Sequence, residues 1–200
     1  MSAYQERLSY KVAIAAIIGA LYTVLVWLLP YLSFAVWQVR IADCLIPQVF
    51  IFGWACIGGI TLGGFIGNLA SPYPIDPMVG PLANFLAGLV GYLIEKHNNS
   101  TGLLRIIRTQ FAIFVQTLIN TFVVGTILAV VTSMEIGDPI SLPILISWWI
   151  GIFIGSLIAM NILGFFLFEA LRKTQLFEVQ KQTDNLQTAV NYLTMNFASQ

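Results

Sequence analysis

Five runs of this chain contain no Asp, Glu, Lys or Arg: residues 12–39, 44–75, 77–94, 109–134 and 139–168. A helix crosses the hydrocarbon of a bilayer with about 20 predominantly apolar residues. Each run is therefore long enough, or nearly so, for at least one crossing. With 58% hydrophobic and 9% charged residues, the chain falls outside the range of ordinary soluble domains. A transmembrane barrel would need short strands of alternating polarity, which the runs lack. The expectation is an all-α membrane protein. Formal charge is zero, so nothing points to nucleic acid.

Basic residues set the orientation. Arg7 and Lys11 precede the first run, Lys96, Arg105 and Arg108 lie in the middle, and Arg172, Lys173 and Lys181 follow the last. The 132–142 loop holds Glu135 and Asp138 but no Lys or Arg. The N-terminus, the 95–108 loop and the C-terminal tail are thus expected in the cytoplasm. A single crossing by 44–75 would put the 95–108 loop outside, whereas two crossings put every basic region inside.

The sequence therefore predicts a six-transmembrane-helix bundle over residues 1–173. Its spans fall near 12–30, 43–53, 54–70, 78–94, 109–131 and 142–171, with helices 2 and 3 short or tilted and Gly53 near their turn. Leu8–Pro30 reads as the first span, being longer than a signal-peptide core and without a cleavage site. Residues 174–200 read as a cytoplasmic tail. There Leu186, Val190, Leu193 and Phe197 fit a short amphipathic helix and a frayed end equally well.

Small residues recur at four-residue spacing. The first span carries Ala16 and Ala20, preceded by Ala13, with Ala15 and Gly19 four apart on a neighbouring line, and the third carries Gly59, Gly63 and Gly67. Such spacing lets helices approach closely, either within a bundle or between subunits; both readings stand for the first span. Gly151 and Gly155 form a further pair, and Trp148 and Trp149 are expected at the outer interface.

Polar residues concentrate between 38 and 84: Gln38, Arg40, Asp43, Gln48, Asn68, Asp76 and Asn84, among prolines and glycines. Polar groups at membrane depth are costly and usually face a bundle interior or a watery cavity. Broken helices there commonly line binding sites. These seven are the candidate substrate-binding residues, with Trp37, Phe50, Trp54 or Tyr73 available to cover a flat ligand. The plainer reading makes Arg40 and Asp43 an exposed ion pair and leaves Asp76 to a turn with Pro77. Catalytic residues, a metal site and a cofactor are not expected. His97 is the single histidine, Cys44 and Cys56 read as buried thiols, and neither a GxSxG motif nor a P-loop occurs.

QVRIADCLIP followed by GGITLGGFIGNLASPYPIDPMVGPLANFLAG resembles the QueT-type substrate-binding (S) components of energy-coupling-factor (ECF) transporters. The matching positions are Arg40, Asp43, Leu45, Gly63, Gly67, Asn68, Leu69, Asp76 and Gly80, with aspartate at 43 in place of the family's usual glutamate. The resemblance covers about residues 37–90. It implies a six-helix protein that captures a queuosine precursor, a 7-deazaguanine, at its outer face. It further implies a transmembrane coupling subunit and two ATP-binding subunits as partners, with docking at Ala16 and Ala20 and also Ala13. On this view Asp43 or Asp76 takes the guanine-like edge through paired charge-assisted bonds. Asn68, Asn84 or Gln48 then reads the carbonyl and ring nitrogens, and Arg40 holds the carboxylate or closes a loop. An S component for another vitamin or metabolite, an intramembrane enzyme and a structural membrane protein are the competing readings.

Overall fold

The computed structural model describes residues 3–34, 38–96, 98, 100–137 and 139–174, with side chains from Leu8 onward. Every regular element among them is helical. α1 covers Ala3–Leu28, and the one-turn α2 covers Pro30–Ser33. A 3-10 helix, Ile41–Gln48, leads into α3, Val49–Asn68. α4 covers Asp76–Glu95 and α5 covers Gly102–Ile136. α6, Leu142–Ser156, continues through a π-helical segment, Leu157–Gly164, into α7, Phe165–Arg172. Five helical stretches are long and apolar enough to cross a membrane: Leu8–Leu28, Ile41–Asn68, Asp76–Glu95, Gly102–Ile136 and Leu142–Arg172. Leu62, Leu82, Phe111 and Ile154 are among the apolar side chains left on the outside, the surface a hydrocarbon solvent favours.

The second stretch turns back on itself. Helical geometry breaks at Gly53 (φ 53, ψ −131), a backbone conformation open to glycine and costly for other residues. Along α4, the Arg40 guanidinium and the Asn68 amide both sit beside Gly80, Val49 sits beside Gly88, and Gly53 beside Tyr92. The chain thus runs from the Asp76 end of α4 to its Tyr92 end and returns. The outgoing arm has fewer residues than the returning one. A 3-10 helix rises about 2.0 Å per residue against about 1.5 Å for α, so both arms span roughly 22 Å. Pro47 favours the narrower winding, because it removes an amide donor and crowds the carbonyl four residues back.

Glycines close the bundle around this hairpin. A Cβ on Gly59 would come within 2.7 Å of the Ala15 carbonyl oxygen, so α1 and α3 touch backbone to backbone. The contact continues as Thr23 Oγ1 donates to the Gly63 carbonyl (3.1 Å) and Trp27 Nε1 to that of Gly67 (3.1 Å). Ala15 and Gly19 therefore serve internal packing, while Ala16 and Ala20 face outward. On the other side, Gln48 Nε2 donates to the Gly164 carbonyl (3.0 Å) and Gln110 Nε2 to that of Asn161 (3.2 Å). Those two side chains from other elements satisfy carbonyls within the π-helical segment.

One core cluster joins Tyr22, Ile46, Ile57, Ile60, Ile113 and Met160. A second, toward the Asp76 end, joins Val79, Val124, Leu128, Trp148 and Ile152. Trp148, expected as an interface anchor, is instead 3% exposed, with Tyr73 edge-on at 5.9 Å. Tail residues 175–200, including the proposed amphipathic helix, lie outside the described residues.

Candidate binding site

Residues 38–40 are pressed onto α6 at Gly155, where the Gln38 carbonyl oxygen occupies the place a Cβ would take. Only glycine admits that approach. It delivers Gln38, Arg40 and Asp43 to a cavity closed by Asn120 and Val124 from α5 and by Ile152 and Ser156 from α6. The cavity is small. Its roughly 10 Å³ of space for a water centre is about what one water needs.

Asp43 is held from two sides. Tyr22 Oη donates to Oδ1 (2.6 Å), and Asn120 Nδ2 donates to Oδ2 (3.0 Å). Asn120 Nδ2 also donates to Ser156 Oγ (3.2 Å). With Asp43 3% exposed and Arg40 6% exposed, neither belongs to a solvated surface pair, and the plainer sequence reading of these two is corrected. Burial that deep makes each hydrogen bond to the carboxylate matter, since an unpaired buried charge is strongly disfavoured. Arg40 donates from Nη2 to the Ser33 carbonyl (3.4 Å) and lies 5.6 Å from the Phe34 ring centroid.

A second group flanks the cavity on the α4 side. Asn68 Nδ2 donates to the Asp76 carbonyl (3.3 Å) and covers Gly80, with Arg40 Nη1 alongside. Asp76 accepts from Ser71 Oγ (2.5 Å), which itself accepts from the Tyr73 amide (3.1 Å). Asp76 thus does anchor its turn, while also lying within electrostatic reach of Arg40. Burial, Glu135 and Asp76 push the Tyr73 phenol upward in pKa.

Of the seven sequence candidates, Gln38, Arg40 and Asp43 line the cavity, and Asn68 and Asp76 form the adjoining group. Asn84 donates to the Ile60 carbonyl (3.0 Å), outside the cavity lining. Gln48 is elsewhere: its Nε2 donates to the Cys44 and Gly164 carbonyls and links the 3-10 helix to the π-helical segment. Phe50 and Trp54 are also remote. Phe50 packs on Phe168, and Trp54, 60% exposed, lies 6.4 Å from Tyr92 at the far end of α4. Neither can cover a ligand at Asp43. Trp37 lies outside the described residues. Sequence reasoning missed Tyr22, Asn120 and Ser156 as site residues. Asn120 gave the clearest signal, sharing a polar face of its span with Gln116 and Thr117. Among the described residues, no three His, Cys, Asp or Glu converge on a metal position.

A family model described as the QueT transporter matches residues 12–173. The chain belongs to the QueT transporter family. Membership and the apolar helices together make it a multi-pass membrane protein of transport. No curated protein and no solved structure matches the chain. In this QueT-family chain, the match takes in α1 from Val12, both arms of the Gly53 hairpin and every residue lining the cavity.

Proposed function

We propose that the chain is the substrate-capture subunit of an ECF-type importer, binding a queuosine precursor at the outer face for ATP-driven uptake by partner subunits. The ligand is a 7-deazaguanine such as preQ0 or preQ1. The observation that carries this reading is the buried Asp43 carboxylate beside a cavity, held by Tyr22 and Asn120 and accompanied by Arg40. A carboxylate accepts the adjacent N–H groups of a guanine-like edge as two charge-assisted bonds. Arg40 steadies that negative charge, and Asp76 and Asn68 support the arginine from behind.

The bundle makes six crossings, helices 2 and 3 being the two arms that meet at Gly53. The fold-back along α4 supports this count, as does the resulting cytoplasmic location of the basic regions. Both termini are cytoplasmic, and the cavity opens outward. A transmembrane coupling subunit docks on α1 through Ala16 and Ala20, with Ala13 at the edge. In support, Ala16 and Ala20 line an outward groove of about 650 Å³ together with Gly63, Leu62 and Ile66. Two ATP-binding subunits complete the assembly.

Mass spectrometry of small molecules retained on gently purified protein tests the ligand assignment. A 7-deazaguanine should be recovered, and binding should saturate with purified preQ0 or preQ1. A different vitamin in its place would keep the capture role and overturn the substrate. Replacing Ala16 and Ala20 together by tryptophan should abolish co-purification of the coupling subunit and leave ligand binding intact. Retained assembly would refute the docking face.

A further inference from the structure

A carboxylate can only accept hydrogen bonds, so the Asn120 group turned toward Asp43 must be its amide nitrogen. That one NH2 has two hydrogens. The Asp43 Oδ2 and Ser156 Oγ contacts use both. The amide plane is thereby fixed and its Oδ1 is turned away from both partners. Asn120 lines the cavity, and its Oδ1 has no protein donor among the described residues. Ser156 Oγ is committed as an acceptor to Asn120, which leaves the hydroxyl hydrogen free to point into the same space.

We infer that Asn120 is a specificity-determining residue whose Oδ1 accepts a hydrogen bond from the exocyclic amine of the ligand, with the Ser156 hydroxyl donating to a ligand acceptor alongside. This rests on the reading of the site as a 7-deazaguanine receptor and deepens it. Asp43 takes one amine hydrogen as part of the guanine-like edge, and Asn120 supplies a neutral acceptor for the other, which sharpens the choice of an amino-substituted ring over its unsubstituted counterpart. A site built to receive an N–H discriminates strongly against an analogue lacking it, because the protein group is then left unpaired.

The test compares affinity for 7-deazaguanine and for 7-deazahypoxanthine, which lacks the exocyclic amine, on purified full-length protein in detergent. Wild-type protein should prefer the amine by at least about a hundredfold, the combined value of a charge-assisted bond to Asp43 and a neutral one to Asn120. Asn120→Ala, or the shape-matched Asn120→Leu if alanine does not fold, should lower that ratio by about tenfold, the share of the neutral bond, and leave the part that Asp43 supplies. Asn120→Asp should preserve the wild-type ratio within about threefold, because a proton shared with Asp43 restores the donor while an acceptor oxygen stays in place. Equal wild-type affinities for the two bases would overturn the inference, and so would an unchanged ratio in the alanine or leucine variant. A fall of the ratio in Asn120→Asp as large as in Asn120→Ala would also overturn it, by reducing Asn120 to a support for Asp43. Wild-type protein that binds neither base refutes the receptor reading itself, whereas binding with an undisturbed ratio refutes the role of Asn120 alone.

Discussion

Two of the candidate residues carry side-chain amides or carboxylates of similar chemistry and are expected to respond to mutation in opposite ways. Asp43→Asn keeps the shape of the side chain and removes its charge. It should weaken ligand binding by about a hundredfold, as expected when a charge-assisted pair is lost, and titration calorimetry on purified protein would measure this. Gln48→Ala removes the link between the 3-10 helix and the Gly164 carbonyl. It should lower stability by about 1–3 kcal/mol, the cost of leaving a buried group unpaired, with little change in affinity for protein that remains folded. Tyr22→Phe falls between the two, since it deletes one donor to Asp43; about a tenfold loss of affinity is expected. The sequence marked Asp43 and Gln48 equally, as polar residues inside apolar runs. What separates them is which neighbour lies across from them, and that depends on contacts made by residues 116 positions away for Gln48 and 77 for Asp43. No local pattern records such distances. Tyr22 was hidden for a related reason: one tyrosine in an apolar helix looks the same whether it faces lipid or a carboxylate.

At the level of elements, glycine spacing was informative about contact but silent about the partner. Gly59 and Gly63 meet α1, as four-residue spacing suggests for helix pairs. Gly155 looked like one more packing glycine, yet it receives the backbone of Gln38 and Val39. Gly155→Ala should therefore displace the segment that carries Arg40. Ligand affinity should fall at least tenfold by the loss of a positioned polar contact, together with a lower melting temperature in a thermal-shift assay. Full retention of affinity would show that the 38–40 segment is free to settle elsewhere. The turn at Gly53 was legible because ten to sixteen residues are too few for straight spans and a glycine stood between them. The 3-10 winding that lets the shorter arm match the longer one was not, since Pro47 alone is compatible with several local geometries.

For the whole molecule, the apolar runs and the distribution of basic residues were enough to read the class as helical and membrane-embedded, because the bilayer imposes that choice on any such chain. Crossing number is the sharper matter, and single-cysteine labelling addresses it. In a background with Cys44 and Cys56 replaced, a cysteine at Ser71 should react with a membrane-impermeant maleimide on intact cells. One at Ser100 should react only after permeabilisation. The reverse pattern, with Ser100 labelled and Ser71 protected in intact cells, is what a single crossing by this stretch gives and would contradict two crossings by the hairpin.

The cavity beside Asp43 has consequences for timing. A space that admits about one water cannot receive a fused bicyclic ring until its walls separate. Encounter and capture are then distinct events, and the second is paced by how often the protein yields. In stopped-flow measurements the observed association rate should level off as ligand concentration rises, at a ceiling that belongs to the protein and is the same for every base it accepts.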